Sequence, residues 1–196
     1  MHDQPDVRGL ETIAYEQHGY FRTSQAREHG ISSQLLSHYV RRKRFERVRR
    51  GLYRLPGFPR AEHDEMREKW MAVGTEKAVL SHQSALALLD LSDAIPDAVH
   101  LLLGRRYRGV RRPAGVVIHT RPDDEEVGTV WREGLPLTTP ARTLVDVSGE
   151  LQPEQLEMAL RQALGRGLLT ARELEEAARG RGRLDAMSGV LAVVAS

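Results

Sequence analysis

Apolar positions run first at helical and then at strand spacing over the opening sixty residues. Leu10, Ile13 and Ala14, with Gln17, share one face of a helix that Gly19 can end. Thr23 is a favoured N-cap for a short helix over Ser24 to His29, which Gly30 stops. Ile31 leads to Ser32 or Ser33, and either serine can cap a third helix running to about Lys43. Leu35, Leu36, Tyr39 and Val40 give that helix its apolar stripe. Phe45–Val48 and Leu52–Leu55, on either side of Arg50-Gly51, predict a short hairpin with Phe45, Val48, Leu52, Tyr53 and Leu55 on its apolar side.

Pro56-Gly57-Phe58-Pro59 breaks this pattern, because two prolines end a strand, and it sets the expected boundary between domains 1–58 and 59–196. Beyond it the pattern predicts helices over Ala61–Val73 and from a capping Ser81 to Leu89. Strands follow at Ala98–Leu103, Val116–Thr120, Val127–Arg132 and Leu135–Leu137. Thr139 and Pro140 read as N-cap and first residue of a helix through Val147. Two further helices lie near Pro153–Gly165 and Thr170–Arg179, and the tail from Gly180 turns apolar at Val190–Val194. No internal repeat is evident. The fold class is α+β: an N-terminal winged helix-turn-helix, then a mixed domain of short strands and several helices.

Charge sharpens this picture. Tyr20 to Arg60 holds eleven Lys and Arg against two acidic residues, Glu28 and Glu46, whereas the rest of the chain holds 18 basic and 25 acidic residues. A basic module on an acidic body is the distribution expected when one end faces phosphates, although charge alone leaves a solvated basic face as the alternative. The absence of cysteine excludes disulfides, thiol catalysis and thiolate zinc sites. No apolar run approaches the roughly 18–20 residues that span a bilayer, and the polar start Met1–Pro5 lacks a signal core. A cytoplasmic location and no membrane partner are expected.

A helix-turn-helix needs a small residue where its helices cross, a glycine in the turn, and an apolar anchor on the second helix. Ala26, Gly30 and Leu36 meet these demands, with Ile31 adding a core contact. The third helix then presents Ser33, Gln34, Ser37 and His38 for base reading in the major groove, Gln34 being suited to adenine. Arg22, Thr23, Arg41, Arg42, Lys43 and Arg44 are candidates for phosphate contacts, and Arg47, Arg49 and Arg50 form a basic wing around Gly51. The plainer alternative is a small helical core that happens to carry arginines on its surface.

These residues resemble a known family. Gly19 to Ala26, His29 to Ser32 and Arg47 to Leu55 look like the N-terminal domain of AbiEi-type antitoxins of type IV toxin–antitoxin systems, which are linked to abortive phage infection. Val79 to Ala85 and Leu135 to Asp146 are similar to recurring segments of the second, antitoxin-type domain, so the resemblance extends to about Arg179. It implies binding of double-stranded DNA at inverted repeats in the protein's own promoter, repression there by two copies, and a nucleotidyltransferase-like toxin as possible partner. Many relatives with this second domain carry a nuclease-like domain beyond the segment matched here.

Other candidates are weaker. Arg105, Arg106, Arg108, Arg111 and Arg112 lie between two predicted strands with no acidic residue from Ala98 to Pro122, and as a long basic hairpin they form a possible second surface for DNA or an acidic partner. Tyr107 within this run can stack on a base or cover the hairpin. Ser81-His82 resembles a nucleophile beside a base, but helical neighbours point about 100° apart, so a capping Ser81 and a packing His82 are the simpler expectation. Asp146 reads as a structural carboxylate, and Asp123-Asp124-Glu125-Glu126 as a solvated acidic loop. The histidines show no metal-ligand spacing, His63-Asp64 included, and no Gly-rich phosphate loop occurs. The chain is therefore expected to be no enzyme and to need no cofactor or metal. Two other classes stay open: a DNA-processing or nuclease-related protein targeted by its winged domain, and a toxin-binding module with secondary DNA binding.

Overall fold

The structure is a computed structural model that describes residues 4–74, 76–92, 96–184 and 187, so the apolar run Val190–Val194 lies outside the described residues. The fold class is α+β. The chain divides into two compact units, Met1–Gly74 and Thr75–Ser196.

The first unit opens with α1 (Val7–Glu16), three residues earlier than the apolar pattern indicates. Asp6 sets that start: its carboxylate accepts from the Gly9 N–H at 2.8 Å and lies 3.1 Å from the His29 ring. Then come β1 (Tyr20–Arg22), α2 (Thr23–Glu28) and α3 (Ser33–Arg41). Thr23 is the first residue of α2 rather than its cap; Arg22 holds the cap position, and its N–H donates to Gln25 Oε1 at 2.8 Å. The Ser32 hydroxyl caps α3, accepting from the Leu35 N–H at 3.2 Å. That helix ends at Arg41, two residues short of expectation, because Lys43 takes a left-handed φ of 56°.

Strands β2 (Glu46–Arg49) and β3 (Leu52–Arg54) form the expected hairpin. They combine with β1 into an antiparallel sheet of order β1-β3-β2, whose register shifts between Arg47 and Arg49. Leu10, Ala14, Phe21, Ala26, Ile31, Leu36, Phe45 and Leu55 make the core under this sheet. Phe21 stands edge-on to Phe45 at 4.8 Å and stacks with Tyr53 at 5.6 Å.

Helix α4 (Asp64–Val73) belongs to this unit, so the compact units part at Gly74, beyond the break at Pro56–Pro59. Charge fastens the helix there. Asp64 sits between Arg54, at 3.5 Å, and Arg67, at 3.9 Å, and all three side chains are buried. The Tyr20 hydroxyl also donates to Glu68 on α4 at 2.9 Å.

The second unit is a five-stranded sheet of order β6-β5-β4-β8-β7, made from β4 (Ala78–Leu80), β5 (Val99–Gly104), β6 (Val116–Arg121), β7 (Thr129–Arg132) and β8 (Leu135–Thr138). Neighbours β5/β6 and β4/β8 are parallel; β4/β5 and β7/β8 are antiparallel. Helices α5 (His82–Leu88), α6 (Pro140–Val147), α7 (Pro153–Gly165) and α8 (Ala171–Gly180) complete the unit, with α6 packed against α5, α7 and α8. Thr139 caps α6 through its hydroxyl, as the sequence predicts, and the Thr170 hydroxyl caps α8 in the same way. Among the described residues no helix is long and apolar enough to cross a membrane.

Candidate nucleic-acid interface

The turn between α2 and α3 is fixed by hydrogen bonds that a left-handed residue makes possible. Gly30 has φ 72°, its N–H donates to the Arg27 carbonyl at 3.0 Å, and the Ile31 N–H returns to the Ala26 carbonyl at 2.9 Å. This pattern closes the last turn of α2 and drops Ile31 into the core. Gly30→Ala is expected to lower unfolding free energy by about 1–2 kcal/mol, read from the urea midpoint, because a Cβ disfavours this conformation.

The outer face of α3 is the open one. Ser33, Gln34, Ser37 and Arg41 line a shallow concavity. Ser33, Gln34, Ser37 and Arg41 are exposed or half-buried along a helix whose opposite side packs into the core, and His38 lies beside them. The Ser37 hydroxyl turns back to the Ser33 carbonyl at 2.8 Å, whereas the Gln34 amide makes no hydrogen bond to another described residue. Among the predicted base readers, Gln34 therefore presents its full donor and acceptor pair outward.

The predicted phosphate contacts fall into three groups. Arg41, Arg42, Lys43, Arg47 and Arg50 are exposed and carry no ion pair with a described residue. Arg44 and Arg49 are engaged. Arg44 donates through Nε and Nη2 to Glu11 at 3.2 and 3.1 Å and lies over the Tyr39 ring. Arg49 reaches Glu68 at 3.5 Å, on the carboxylate that also accepts from Tyr20. Burial, then the bond to Glu68, holds the Tyr20 hydroxyl well above its ordinary pKa. Arg22 and Thr23 lie at the start of α2, half-buried, and the Thr23 N–H donates to the Gly51 carbonyl at 3.0 Å, tying the wing turn to the helix-turn-helix. Gly51, at φ 82°, makes that turn possible.

In the second unit Ser81 and His82 depart from expectation. They do form a hydrogen bond, Ser81 Oγ to His82 Nδ1 at 3.1 Å, because Ser81 is extended and His82 has φ 48°, so neither obeys helical spacing. The Ser81 hydroxyl makes no cap bond, and the residue is fully buried. His82 stacks on His119, centroids 3.4 Å apart, and His100 Nδ1 lies 3.0 Å from His119 Nε2. Burial, reinforced by the neighbouring imidazoles, lowers the His82 pKa to about 3; burial and His100 lower that of His119 to about 4. Burial lowers His100 as well.

The sequence carries no signal for this cluster: the parallel register sets His100 opposite Val117 and His119 opposite Leu102, which makes the two histidines diagonal neighbours on one face of the sheet. A polar cavity of about 170 Å³ beside it is lined by His82, Val145, Asp146, Gly149, Glu150, Arg181 and Arg183. Among the described residues no group of three or more His, Asp or Glu could hold a metal ion.

Asp146 is a structural carboxylate, receiving Arg142 Nε at 2.9 and 2.8 Å on its two oxygens. Burial raises its pKa against the pull of Arg142. Arg142 also binds Glu125 at 2.5 Å, and Asp123 accepts from the Arg106 N–H at 3.1 Å. The acidic run is therefore partly built into the fold instead of being a solvated loop. The basic run is not a hairpin either, because β5 and β6 are parallel and residues 105–115 form a crossover.

No curated protein matches the chain. The RV2827C protein from Mycobacterium tuberculosis, known from its crystal structure, superposes with a TM-score of 0.60 over 99% of this chain and 78% of that one, at 17% identity. At that identity the likeness is one of fold. Over residues 10–56, from α1 through the wing, the chain matches the family described as "Transcriptional regulator, AbiEi antitoxin", the family that its N-terminal motifs resemble.

Proposed function

We propose that this protein is a sequence-specific DNA-binding regulator that represses its own promoter in the role of an AbiEi-type antitoxin. The observation that carries the reading is the open face of α3, with Ser33, Gln34, Ser37 and Arg41 unobstructed and the wing arginines Arg47 and Arg50 in the same unit. On this reading Gln34 and His38, with Ser33 and Ser37, read bases, while Arg41, Arg42, Lys43, Arg47 and Arg50 hold phosphates. Two copies occupy inverted repeats, and the partner protein is a nucleotidyltransferase-like toxin made in the same cytoplasm. The protein acts by binding and is no enzyme; a fully buried Ser81 supports that.

The test is a titration of the protein on the duplex upstream of its own reading frame and on random duplex of equal length, at two salt concentrations. Tighter binding to the upstream duplex is expected, and equal binding to both would remove the autorepression reading. Gln34→Ala is expected to cost about 1–3 kcal/mol at one base position and to relax preference there. Arg47→Ala is expected to weaken all sequences alike and flatten the log–log salt slope by about 0.9. Arg49→Ala, whose guanidinium is engaged by Glu68, is expected to flatten it less in the same titration.

A further inference from the structure

Arg105, Arg106, Arg108, Arg111 and Arg112 all lie in the connection between β5 and β6, with their side chains toward solvent. The sheet dictates the course of that connection. Val99 faces Val116 and Gly104 faces Arg121, so after Gly104 the chain must travel back along a six-residue strand. At about 3.3 Å per residue the return covers roughly 17–20 Å. Parallel neighbours are usually joined by a helix, but the helical part of this connection is a 3-10 turn at Arg105–Tyr107.

The start of the crossover is anchored. The Arg106 N–H donates to both Asp123 oxygens, at 3.1 and 3.2 Å, and the Tyr107 ring receives the Arg106 guanidinium at 4.9 Å and the Lys77 ammonium at 5.4 Å. Asp123 offsets the charge of Arg106 at 4.0 Å. Arg105, Arg108, Arg111 and Arg112 have no ion pair with a described residue, and no acidic residue occurs from Ala98 to Pro122. Four guanidinium groups of like charge thus fall within residues 105–112, and no described carboxylate pairs with them.

We propose that this crossover is a second DNA-binding surface, one that grips the phosphate backbone without reading sequence. It rests on the reading of the winged unit as a duplex binder, which brings DNA within reach of a tethered second site. Laid along the duplex axis, a run of roughly 17–20 Å covers the rise of five or six nucleotides of each strand at about 3.4 Å each, and arginine forks match phosphate oxygens in pairs. An acidic protein surface is the rival occupant, and the outcomes below separate it.

The experiment compares three full-length proteins on a labelled random-sequence duplex of about 40 bp, by anisotropy from about 50 to about 200 mM salt. These are the unmodified chain, a crossover variant (Arg105→Ser, Arg108→Ser, Arg111→Ser, Arg112→Ser) and a wing variant (Arg47→Ser, Arg50→Ser). The crossover variant is expected to bind at least about tenfold more weakly at the lowest salt, with a slope flatter by roughly 0.9 for each phosphate it no longer neutralises. Its melting temperature is expected to be unchanged, because these arginines hold nothing in the fold. A crossover variant with unaltered affinity and slope would overturn the proposal, whether or not an acidic protein binds the same surface. In that case a weakened wing variant leaves the winged-unit reading intact. A wing variant that binds like the unmodified chain would instead remove that reading and leave the crossover as the DNA-binding surface.

Discussion

Asp64→Ala is expected to destabilise the winged unit by about 3–5 kcal/mol, because it removes the carboxylate that lies between two buried guanidinium groups. Arg54 and Arg67 are 4% and 1% exposed, and Asp64 lies between them at 4%. Arg54 retains the carbonyls of Phe58 and Pro59, at 2.7 and 2.9 Å, but these offset only part of its charge. The Asp64 oxygens accept no hydrogen bond, so the carboxylate acts through charge alone. Asp64→Asn, which keeps shape and removes charge, is accordingly expected to lose nearly as much. Urea unfolding of both variants decides the matter, and a harmless Asp64→Asn would show that packing, not charge, fastens α4.

Acid is expected to unfold the second unit through its histidines. His82 and His119 are held at about 3 and about 4 in the folded state, against about 6.5 in an unfolded chain. Between those limits the unfolded state binds more protons, so stability falls as pH falls. The contribution is fully present above about 6.5, and each histidine forfeits about 1.4 kcal/mol per pH unit below it. Within the same unit the lowered carboxyl of Glu173 acts in the same direction at lower pH, while Asp146, raised by burial, opposes it. Melting temperature followed from about pH 7 to about pH 4 is the measurement. His119→Phe keeps a ring against His82 and is expected to flatten the acid limb; a limb unchanged by it would exclude the cluster as the cause.

The residues that make the fold legible are those whose role is local. Ser32 and Thr139 announce helix starts through a hydroxyl and a backbone N–H three residues on, and each does so in the structure. Gly30 and Gly51 announce turns because few other residues take their φ. Features that depend on distant partners are not legible in this way. Strands β1 and β4 span three residues each, too few for a periodicity, and exist because β3 and β5 pair with them. Helical spacing conceals the Ser81–His82 bond, because His82 is left-handed.

At the candidate interface the outward face of α3 follows from its apolar stripe, since the opposite side of an amphipathic helix must be exposed. The engagement of Arg49 does not. Glu68 lies nineteen residues away on a helix expected to belong to the other domain. The sign of the basic run is plain, but its geometry hinges on whether β5 and β6 run parallel or antiparallel, which residue patterns do not specify.

The pairing of β4 with β8 also sets an order of assembly. Leu80 lies opposite Leu137, so the centre of the sheet cannot close until both stretches have been synthesised, and a long loop must be drawn in when it does. The winged unit is complete once Val73 has emerged, and its longest strand pairing, Tyr20 with Arg54, closes a shorter loop. Non-local pairing slows folding and domains tend to mature from the N-terminus during synthesis. A nascent chain would therefore carry a finished winged unit while its second unit is still threading from the ribosome.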